Sequence, residues 1–181
     1  MEKGKIIILN GVSSAGKTSL SRAIQRKLPE PYFWLSNDSF CDMVPETFWD
    51  TDQPEAEYQA LSLLGKTVKL FSDNGKNVIV DTVMITEQKH DLFKEYVDLL
   101  WGYPVSFVHV TCPLHELQHR ERERGDRSIG QAEGQLTMLN PQDGYDLTVD
   151  THENSIDQCA DQVIDFMSSL SNHKTLNRTF I

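Results

Sequence analysis

Short apolar runs alternate along this chain with longer segments of helical spacing. Residues 6–9 form a β-branched run that ends just before Gly11, which is typical of a strand buried on both faces of a parallel sheet. Between residues 16 and 28 apolar side chains recur every three or four positions, and a proline follows. The pattern therefore predicts a first strand, a tight turn and a first helix.

The same alternation continues and predicts five strands with helices between them. We expect strands over residues 6–9, 32–35, 78–80, 105–110 and 145–149. We expect helices over residues 16–28, 54–72, 86–101, 114–124, 129–139 and 155–170. Such alternation is typical of a parallel, doubly wound α/β sheet. We predict a single domain over residues 1–181, with a five-stranded parallel sheet flanked by helices.

The length and the net charge of the chain exclude some classes of binding partner. A chain of 181 residues buries enough apolar surface to need neither disulfides nor a structural metal. Its 27 acidic residues outnumber its 17 Lys and Arg residues, and a net charge of −10 repels polyanions. No apolar run approaches the roughly 18 residues of a membrane-spanning helix. We therefore expect neither nucleic acid nor a membrane as a partner.

The cysteines indicate a reducing compartment. Cys41, Cys112 and Cys159 are odd in number and widely spaced, which favours free thiols over a disulfide framework or a zinc site. The first apolar run is too short for a secretory signal peptide. We expect a cytoplasmic protein, and the sequence leaves its oligomeric state open.

The turn after the first strand matches a phosphate-binding loop. Residues 11–18 read GVSSAGKT and fit the pattern G-x-x-x-x-G-K-[ST], directly after a strand and at the start of a helix. In such a loop backbone N–H groups and the helix dipole bind phosphate, Lys17 reaches the β- and γ-phosphates, and the Thr18 hydroxyl ligates Mg²⁺. We therefore predict a site for ATP and Mg²⁺. The predicted nucleotide-binding residues are Gly11, Ser13, Ser14, Ala15, Gly16, Lys17 and Thr18.

A phosphate loop predicts nucleotide binding but leaves the reaction open, because GTPases, motor ATPases and small-molecule kinases all contain one. The Asn-Lys-x-Asp motif with which GTPases recognise guanine is absent from the sequence. Large ATPase modules need a longer chain. The interpretation that remains is a compact kinase with the P-loop nucleoside-triphosphate hydrolase fold of the nucleotide-kinase type.

Three aspartates are candidates for the kinase chemistry. Asp38 follows the second predicted strand, where open α/β sheets bind ligands, and is either the catalytic base or only the cap of the next helix. Asp81 ends the third strand at the same edge, and either holds substrate or hydrated Mg²⁺ or is a structural strand-end carboxylate. Asp42 either assists Asp38 from the same helix face or is solvated.

Four of the seven arginines cluster around a glycine break in the pattern of helices. They are Arg120, Arg122, Arg124 and Arg127. A helix, a break and a second helix predict a hinged lid over about residues 120–130, whose arginines close over the phosphates. The alternative is a solvated charged face, since Glu121 and Glu123 interleave with these arginines. We favour Arg124 and Arg127 as the catalytic pair over Arg120 and Arg122.

The segment after the second strand indicates the acceptor. Residues 31–60 contain seven acidic residues and no Lys or Arg, whereas a phosphorylated acceptor is normally bound by arginines. The segment also contains the aromatic residues Tyr32, Phe33, Trp34, Phe40, Phe48, Trp49 and Tyr58. We expect it to bind a neutral or cationic, partly aromatic molecule, although Phe33 and Trp34 also fit core packing.

The order of these motifs resembles the chloramphenicol phosphotransferase-like family of P-loop kinases. The matching segments are IILNG at 7–11 leading into SSAGK at 13–17, LPEP at 28–31, DS at 38–39, RGDR at 124–127, and YD through VDT at 145–151. The resemblance implies a nucleotide-kinase-like fold, transfer of the ATP γ-phosphate to a substrate hydroxyl, and Asp38 as the base. Val12 stands where the family has a glycine, and residues 40 to about 74 lie outside the match.

We therefore expect an ATP- and Mg²⁺-dependent O-phosphotransferase whose partner is a small hydroxylated acceptor, with chloramphenicol or a related antibiotic as a candidate. Two alternatives stay open. One is a kinase of a nucleotide or nucleotide sugar, of the zeta-toxin type, in which Lys66, Lys69 and Lys76 bind the acceptor phosphate. The other is a nucleotide-binding switch that has no acceptor.

Overall fold

In the computed structural model, five parallel strands form one sheet in the order β2-β3-β1-β4-β5. The structure describes residues 2–84, 91–124, 129–139 and 144–170, apart from the side chains of residues 124 and 170. The strands are β1 (Ile6–Asn10), β2 (Tyr32–Ser36), β3 (Asn77–Thr82), β4 (Val105–Thr111) and β5 (Leu147–Asp150). All five residues of β1 are buried, as a central strand covered on both faces requires. The predicted five-stranded parallel sheet is confirmed.

Eight helices lie in the described part of the chain. They are α1 (Lys17–Lys27), α2 (Asn37–Cys41), α3 (Glu46–Thr51), α4 (Gln53–Asp73), α5 (Leu92–Leu99), α6 (Leu114–Arg124), α7 (Gln131–Leu136) and α8 (Ile156–Leu170). None of the described helices is both long and apolar enough to cross a membrane. The sequence pattern misses α2 and α3, because helices of five or six residues show no apolar period.

Two hydrophobic clusters cover the two faces of the sheet. Ile7 and Leu9 pack on one face with the apolar sides of α1 and α8. Ile6 and Ile8 point to the other face, where they meet α4 and α5. This alternation follows from the two-residue period of a strand, and it fixes the position of β1 between the two helical layers.

Three predicted boundaries differ from the structure for local reasons. The structure does not describe residues 85–90 of the helix predicted over residues 86–101. The described helix begins at Leu92, because the Asp91 side chain accepts a 2.9 Å hydrogen bond from the N–H of Lys94 and caps the helix. The helix predicted over residues 129–139 is only the six residues of α7. The fifth strand begins at Leu147, because the ring of Tyr145 instead stacks on His109 with the ring centroids 4.8 Å apart.

The direction of the strand order reverses at β1, and the crevice at its carboxyl end is where open α/β sheets bind ligands. Asn10 ends β1 and is fully buried. Its carboxamide accepts a 2.7 Å hydrogen bond from the N–H of Met84 and donates a 2.6 Å hydrogen bond to the Tyr145 hydroxyl. The segments that follow β3 and precede β5 are thereby joined to the strand that carries the phosphate loop.

Candidate active site

The phosphate loop connects β1 to α1 and needs glycine at two positions. A Cβ on Gly11 would lie 2.2 Å from the carbonyl oxygen of Val110 in β4, so no larger residue fits there. Gly16 has a φ of 90°, and Ser14 also adopts a positive φ of 61°. Val12 is buried in the core, and its side chain does not enter the loop's concave side. The structure brings all the predicted loop residues together.

Lys17 lies inside this site instead of extending to solvent. Its side chain is 9% exposed, and Nζ donates a 2.9 Å hydrogen bond to the carbonyl oxygen of Val12. The same nitrogen lies 3.9 Å from Oδ1 of Asp81. The ammonium group is therefore held at the mouth of the loop, where a bound phosphate would meet it.

Asp81 joins the end of β3 to the loop. Its Oδ2 accepts a 2.6 Å hydrogen bond from the Thr18 hydroxyl, and the residue is 6% exposed. These contacts place Asp81 beside the loop, and both its structural and its metal- or substrate-binding role stay predictions. No group of three or more His, Cys, Asp or Glu residues is placed to hold a metal within the described ranges. The donors that fit Mg²⁺ are the Thr18 hydroxyl and the Asp81 carboxylate, because Mg²⁺ keeps several waters and takes few carboxylates.

Asp38 lies in the first turn of α2, across from the loop. Ser36 is the N-cap of this helix, since its Oγ accepts a 3.2 Å hydrogen bond from the N–H of Ser39. The capping alternative for Asp38 is therefore wrong. The Thr82 hydroxyl donates a 2.6 Å hydrogen bond to Oδ1 of Asn37, which fixes the start of α2 against the end of β3. Asp42 is exposed at the other end of α2 and does not line the cleft.

A cleft of about 630 Å³ contains these groups. The phosphate loop lies at its centre. On the β4 and β5 side it is lined by Arg120, Glu123, Gln131, Gln135, Thr151 and Ile156, which we call the nucleotide end. On the β2 and β3 side it is lined by Ser36, Asn37, Asp38, Cys41, Trp49, Gln53, Glu57 and Val83, which we call the acceptor end. The cleft therefore has room for one molecule on each side of a phosphate group at the loop.

Arg120 holds the loop from the nucleotide end. Its guanidinium donates 3.0 Å hydrogen bonds to Oγ1 and to the carbonyl oxygen of Thr151, and a 3.4 Å one to the carbonyl oxygen of Ser14. Its Nε donates a 2.8 Å hydrogen bond to Glu116. Arg120 therefore contacts the site, although the sequence analysis favours Arg124 and Arg127 over it. Arg122 is exposed and does not line the cleft. The side chain of Arg124 and all of Arg127 lie outside the described residues, so their role stays a prediction.

Two residues of this end were missed by the sequence analysis. Glu121, interpreted there as part of a solvated face, is fully buried and accepts hydrogen bonds from the N–H groups of Gly130 (2.9 Å) and Ala132 (2.7 Å). Gln135 accepts a 2.7 Å hydrogen bond from the N–H of Ser13 in the loop. The available signal for Glu121 is Leu117, one helical turn earlier, which is also fully buried.

Most of the aromatic residues assigned to the acceptor lie elsewhere. Trp49 is the only one of the seven that lines the described cleft. Tyr32 and Trp34 belong to the cluster on the α1 face, Phe40 and Tyr58 pack against the other cluster, and Phe33 stacks edge-on with Phe71 at the outer strand. Phe48 does not reach the cleft. The expectation of a broad aromatic wall is wrong, because four of these rings pack against the two core clusters and only Trp49 lines the described cleft.

The lysines considered for a phosphorylated acceptor also lie away from the cleft. Lys69 donates a 2.8 Å hydrogen bond to Asp73 near the end of α4. Lys76 immediately precedes β3, at the amino edge of the sheet and opposite the loop. Lys66 is exposed on α4 and is not part of the lining. None of the three is placed to bind an acceptor phosphate beside Asp38.

The pKa of the Cys41 thiol reflects burial and charge at the acceptor end. The pKa of this thiol is raised to about 12, chiefly by burial and also by the nearby carboxylates of Glu57, Asp38 and Asp42. A thiolate would therefore form there only at strongly alkaline pH. The acceptor end disfavours a negative charge.

Comparison with known proteins agrees with this geometry. The sequence profile of the chloramphenicol phosphotransferase-like family matches residues 4–168. A Mycobacterium tuberculosis protein named as an O-phosphotransferase is 29% identical, over 88% of this chain and 80% of its own. The fold is that of two solved kinases. The M. tuberculosis APS kinase CysC in complex with AMPPNP and APS has a TM-score of 0.66 and 20% identity, over 93% of this chain and 99% of its own. Shikimate kinase from Acinetobacter baumannii in complex with shikimate has a TM-score of 0.67 and 16% identity, over 96% and 97%.

The phosphate loop and the Thr18–Asp81 contact lie in one cleft with Asp38, and the relatives are named as phosphotransferases and kinases. The chain belongs to the chloramphenicol phosphotransferase-like family and is an ATP-dependent phosphotransferase of the P-loop kinase type.

Proposed function

We propose that this enzyme transfers the γ-phosphate of ATP to a hydroxyl group of a small, unphosphorylated acceptor, with Asp38 as the catalytic base. The observation that carries the proposal is the placement of Asp38 on the wall of the same cleft as Lys17 and Thr18. A hydroxyl bound beside Asp38 would face a phosphate held by the loop. Positioning of this kind supplies most of the catalysis in phosphoryl transfer.

The loop fits a nucleotide phosphate in two respects. The Ser14 hydroxyl is buried without a hydrogen-bond partner while its residue lines the cleft, so a phosphate oxygen can accept from it. When a nucleotide binds, Nζ of Lys17 would give up its hydrogen bond to the Val12 carbonyl oxygen and contact the phosphates instead. Mg²⁺, for which Thr18 and Asp81 are the fitting donors, would neutralise charge on the phosphates when bound.

The transfer itself needs one proton acceptor. The acceptor oxygen bonds to the γ-phosphorus, the bond between that phosphorus and the bridging oxygen of ADP breaks, and the hydroxyl proton passes to the Asp38 carboxylate. Asp38 is exposed at the cleft wall, so the proton can then leave to solvent. Arg124 and Arg127 are proposed to neutralise the transferring group from the segment around residues 124–127.

The acceptor is proposed to carry no phosphate of its own. Among the described lining residues, Lys17 and Arg120 are the only Lys or Arg, and Arg120 is at the nucleotide end. A second phosphate at the acceptor end would lie near the carboxylates of Asp38 and Glu57, which belong to the described lining. The family's description makes chloramphenicol, a neutral molecule with hydroxyl groups, one acceptor to try.

The test is ADP release measured with and without a panel of hydroxylated small molecules, for the wild type, Asp38→Asn and Asp42→Asn. We expect acceptor-dependent ADP release that Asp38→Asn lowers by about 10²- to 10⁴-fold. Asp42→Asn removes an exposed carboxylate one helical turn away. It is the matched control and should retain the wild-type rate of ADP release. Lys17→Ala should abolish transfer.

Three results would contradict the proposal. Slow hydrolysis that no acceptor accelerates would favour a nucleotide-dependent switch. Turnover with nucleotides or nucleotide sugars alone would favour that class of kinase. Phosphate transfer at the wild-type rate by Lys17→Ala would show that the loop lysine takes no part in the reaction.

A further inference from the structure

Thr151, the residue that follows β5, contacts the phosphate loop directly. It is buried, and its Oγ1 donates a 2.8 Å hydrogen bond to the carbonyl oxygen of Ala15. Its backbone N–H donates a 3.1 Å hydrogen bond to the carbonyl oxygen of Thr111 at the end of β4. A Cβ placed on Gly16 would lie 3.4 Å from Cγ2 of Thr151, so the methyl group also packs against the loop. The loop is therefore fixed to the ends of β4 and β5.

The guanidinium of Arg120 reaches the same place from α6. Its Nη1 donates a 3.0 Å hydrogen bond to Oγ1 of Thr151, so this hydroxyl accepts from Arg120 while it donates to Ala15. Nη1 also donates a 3.4 Å hydrogen bond to the carbonyl oxygen of Ser14, Nη2 a 3.0 Å one to the carbonyl oxygen of Thr151, and Nε a 2.8 Å one to Glu116. Each of the three guanidinium nitrogens therefore has a partner within the protein.

These contacts fix two consecutive peptide planes of the loop. In a planar trans peptide the C=O and the N–H of the next residue point in opposite directions. Hydrogen bonds to the carbonyl oxygens of Ser14 and Ala15 therefore turn the N–H groups of Ala15 and Gly16 away from Arg120 and Thr151. Ser14 has a φ of 61°, which is rare for a residue with a side chain, so contacts from outside the loop must hold it.

We propose that Thr151 and Arg120 are positioning residues for nucleotide binding, which hold the loop in the conformation whose backbone N–H groups bind phosphate. A chain that lacks either contact would spend part of its time in other loop conformations. Its apparent affinity for a nucleotide then falls with the fraction of molecules in the competent conformation. Both residues act at the nucleotide end, so the effect does not depend on the acceptor or on Asp38.

The experiment is titration calorimetry of AMPPNP with Mg²⁺ on the full chain, combined with urea unfolding of each variant. Thr151→Val keeps the shape of the side chain and removes the hydroxyl. We expect it to raise the Kd for AMPPNP by about five- to fiftyfold, because two buried hydrogen bonds of the loop support are lost. Thr151→Ser keeps the hydroxyl and should restore most of the affinity.

Ser72→Ala is the matched control for a loss of stability. Ser72 is fully buried near the end of α4, and its Oγ donates a 2.6 Å hydrogen bond to the carbonyl oxygen of Gly4 at the opposite edge of the sheet. This variant therefore loses the same kind of buried hydrogen bond away from the site. We expect it to lower the free energy of unfolding and to leave the Kd for AMPPNP unchanged.

Arg120→Lys tests the second contact with the charge retained. An ammonium cannot donate to Ser14, Thr151 and Glu116 at once as the planar guanidinium does, so we expect a higher Kd for AMPPNP. Because both residues support one loop conformation, the double variant with Thr151→Val should be no worse than the more severe single variant. Arg122→Lys, at an exposed position outside the lining, is the control and should bind as the wild type. Arg120→Lys also keeps the test decisive if Thr151→Val does not fold.

Three results would overturn the inference. The first is an unchanged Kd in the folded variants of Thr151 and Arg120. The second is an equal loss of AMPPNP affinity in Ser72→Ala, which would attribute the effect to stability alone. The third is strictly additive effects of the two changes, which would show that the side chains do not act through one conformation of the loop.

Discussion

The side-chain oxygen of Gln135 accepts a 2.7 Å hydrogen bond from the backbone N–H of Ser13. Ser13 belongs to the loop whose amides are predicted to bind phosphate, and Gln135 belongs to α7, which contributes to the nucleotide end of the cleft. The amide oxygen is a neutral acceptor at a position where a phosphate oxygen would accept the same hydrogen bond. A nucleotide that uses this N–H must displace Gln135.

Removal of this competitor should strengthen nucleotide binding. We expect Gln135→Ala to lower the Kd for an ATP analogue by about two- to tenfold, the range of one neutral hydrogen bond. Gln135→Glu should weaken binding, because it places a negative charge beside the phosphates. Titration calorimetry measures both, and Gln59→Ala on the exposed face of α4 is the control. Weaker binding by Gln135→Ala would show that Gln135 contacts the nucleotide instead of competing with it.

Thr18 and Asp81 should act as one unit in metal binding. We expect Thr18→Val and Asp81→Asn each to raise the Mg²⁺ concentration needed for half-maximal ADP release. The double variant should be no worse than the more severe single variant, because both changes remove the same 2.6 Å pair from the same site. Thr67→Val, at a half-buried position of α4 that does not line the cleft, is the control for the loss of a hydroxyl. Strictly additive effects would mean that the two side chains serve separate steps.

Glu121 should contribute strongly to stability although it lies outside the chemistry. Glu121→Ala leaves the buried N–H group of Ala132 and the partly buried one of Gly130 without their acceptor, and we expect a loss of about 2–4 kcal/mol in the free energy of unfolding. Glu121→Gln keeps one acceptor oxygen and should lose less. Urea unfolding measures both, with the exposed Glu153→Ala expected to change stability by less than about 0.5 kcal/mol. Wild-type stability in Glu121→Ala would contradict the role we assign to its two hydrogen bonds.

Cys41 should alkylate slowly, and faster when a neighbouring charge is removed. A pKa raised to about 12 leaves very little thiolate near neutral pH, so the reaction with iodoacetamide should accelerate steeply as the pH rises from 7 to 10. Removal of a negative charge lowers the pKa of a thiol, so Glu57→Gln should increase the rate at a given pH. Mass spectrometry of the Cys41 peptide measures this, with Glu46→Gln as the control. A rate that matches a free cysteine would contradict the described electrostatics.

The sheet and the loop could be predicted because their signals are local. A β-branched run before G-x-x-x-x-G-K-T specifies the strand, the turn and the helix at once, and the buried β1 and the positive φ of Gly16 follow from it. The placement of Asp38 and Asp81 could also be anticipated, since Asp38 follows β2 and Asp81 lies near the end of β3, at one edge of a parallel sheet. Their partners could not, because the contact of Asp81 with Thr18 depends on which strand lies beside β1.

Burial on the helices was the part that the sequence did not reveal. Glu121 lies in a run of alternating charges, and only the fold brings the amides of Gly130 and Ala132 across the glycine break to bury it. The aromatic residues before α4 look equivalent in sequence, yet the angles of two very short helices decide that Trp49 faces the cleft while Phe40 packs on the core. Such angles depend on tertiary packing and leave no period in the chain.

The acceptor end is built almost entirely from one continuous segment, the short helices α2 and α3 with the start of α4, inserted between the two strands on one side of β1. The loop, Lys17 and Thr18 come from elsewhere, and Asp81 meets them without using that segment. We infer that acceptor choice is encoded largely in this segment, apart from the proposed base Asp38, whereas the predicted phosphate-binding groups come from other stretches of the gene. Exchanging residues 39–57 with those of a relative should then change the acceptor preference while Asp38 and the phosphate loop stay unaltered, so that one ancestral kinase could diversify without losing its reaction.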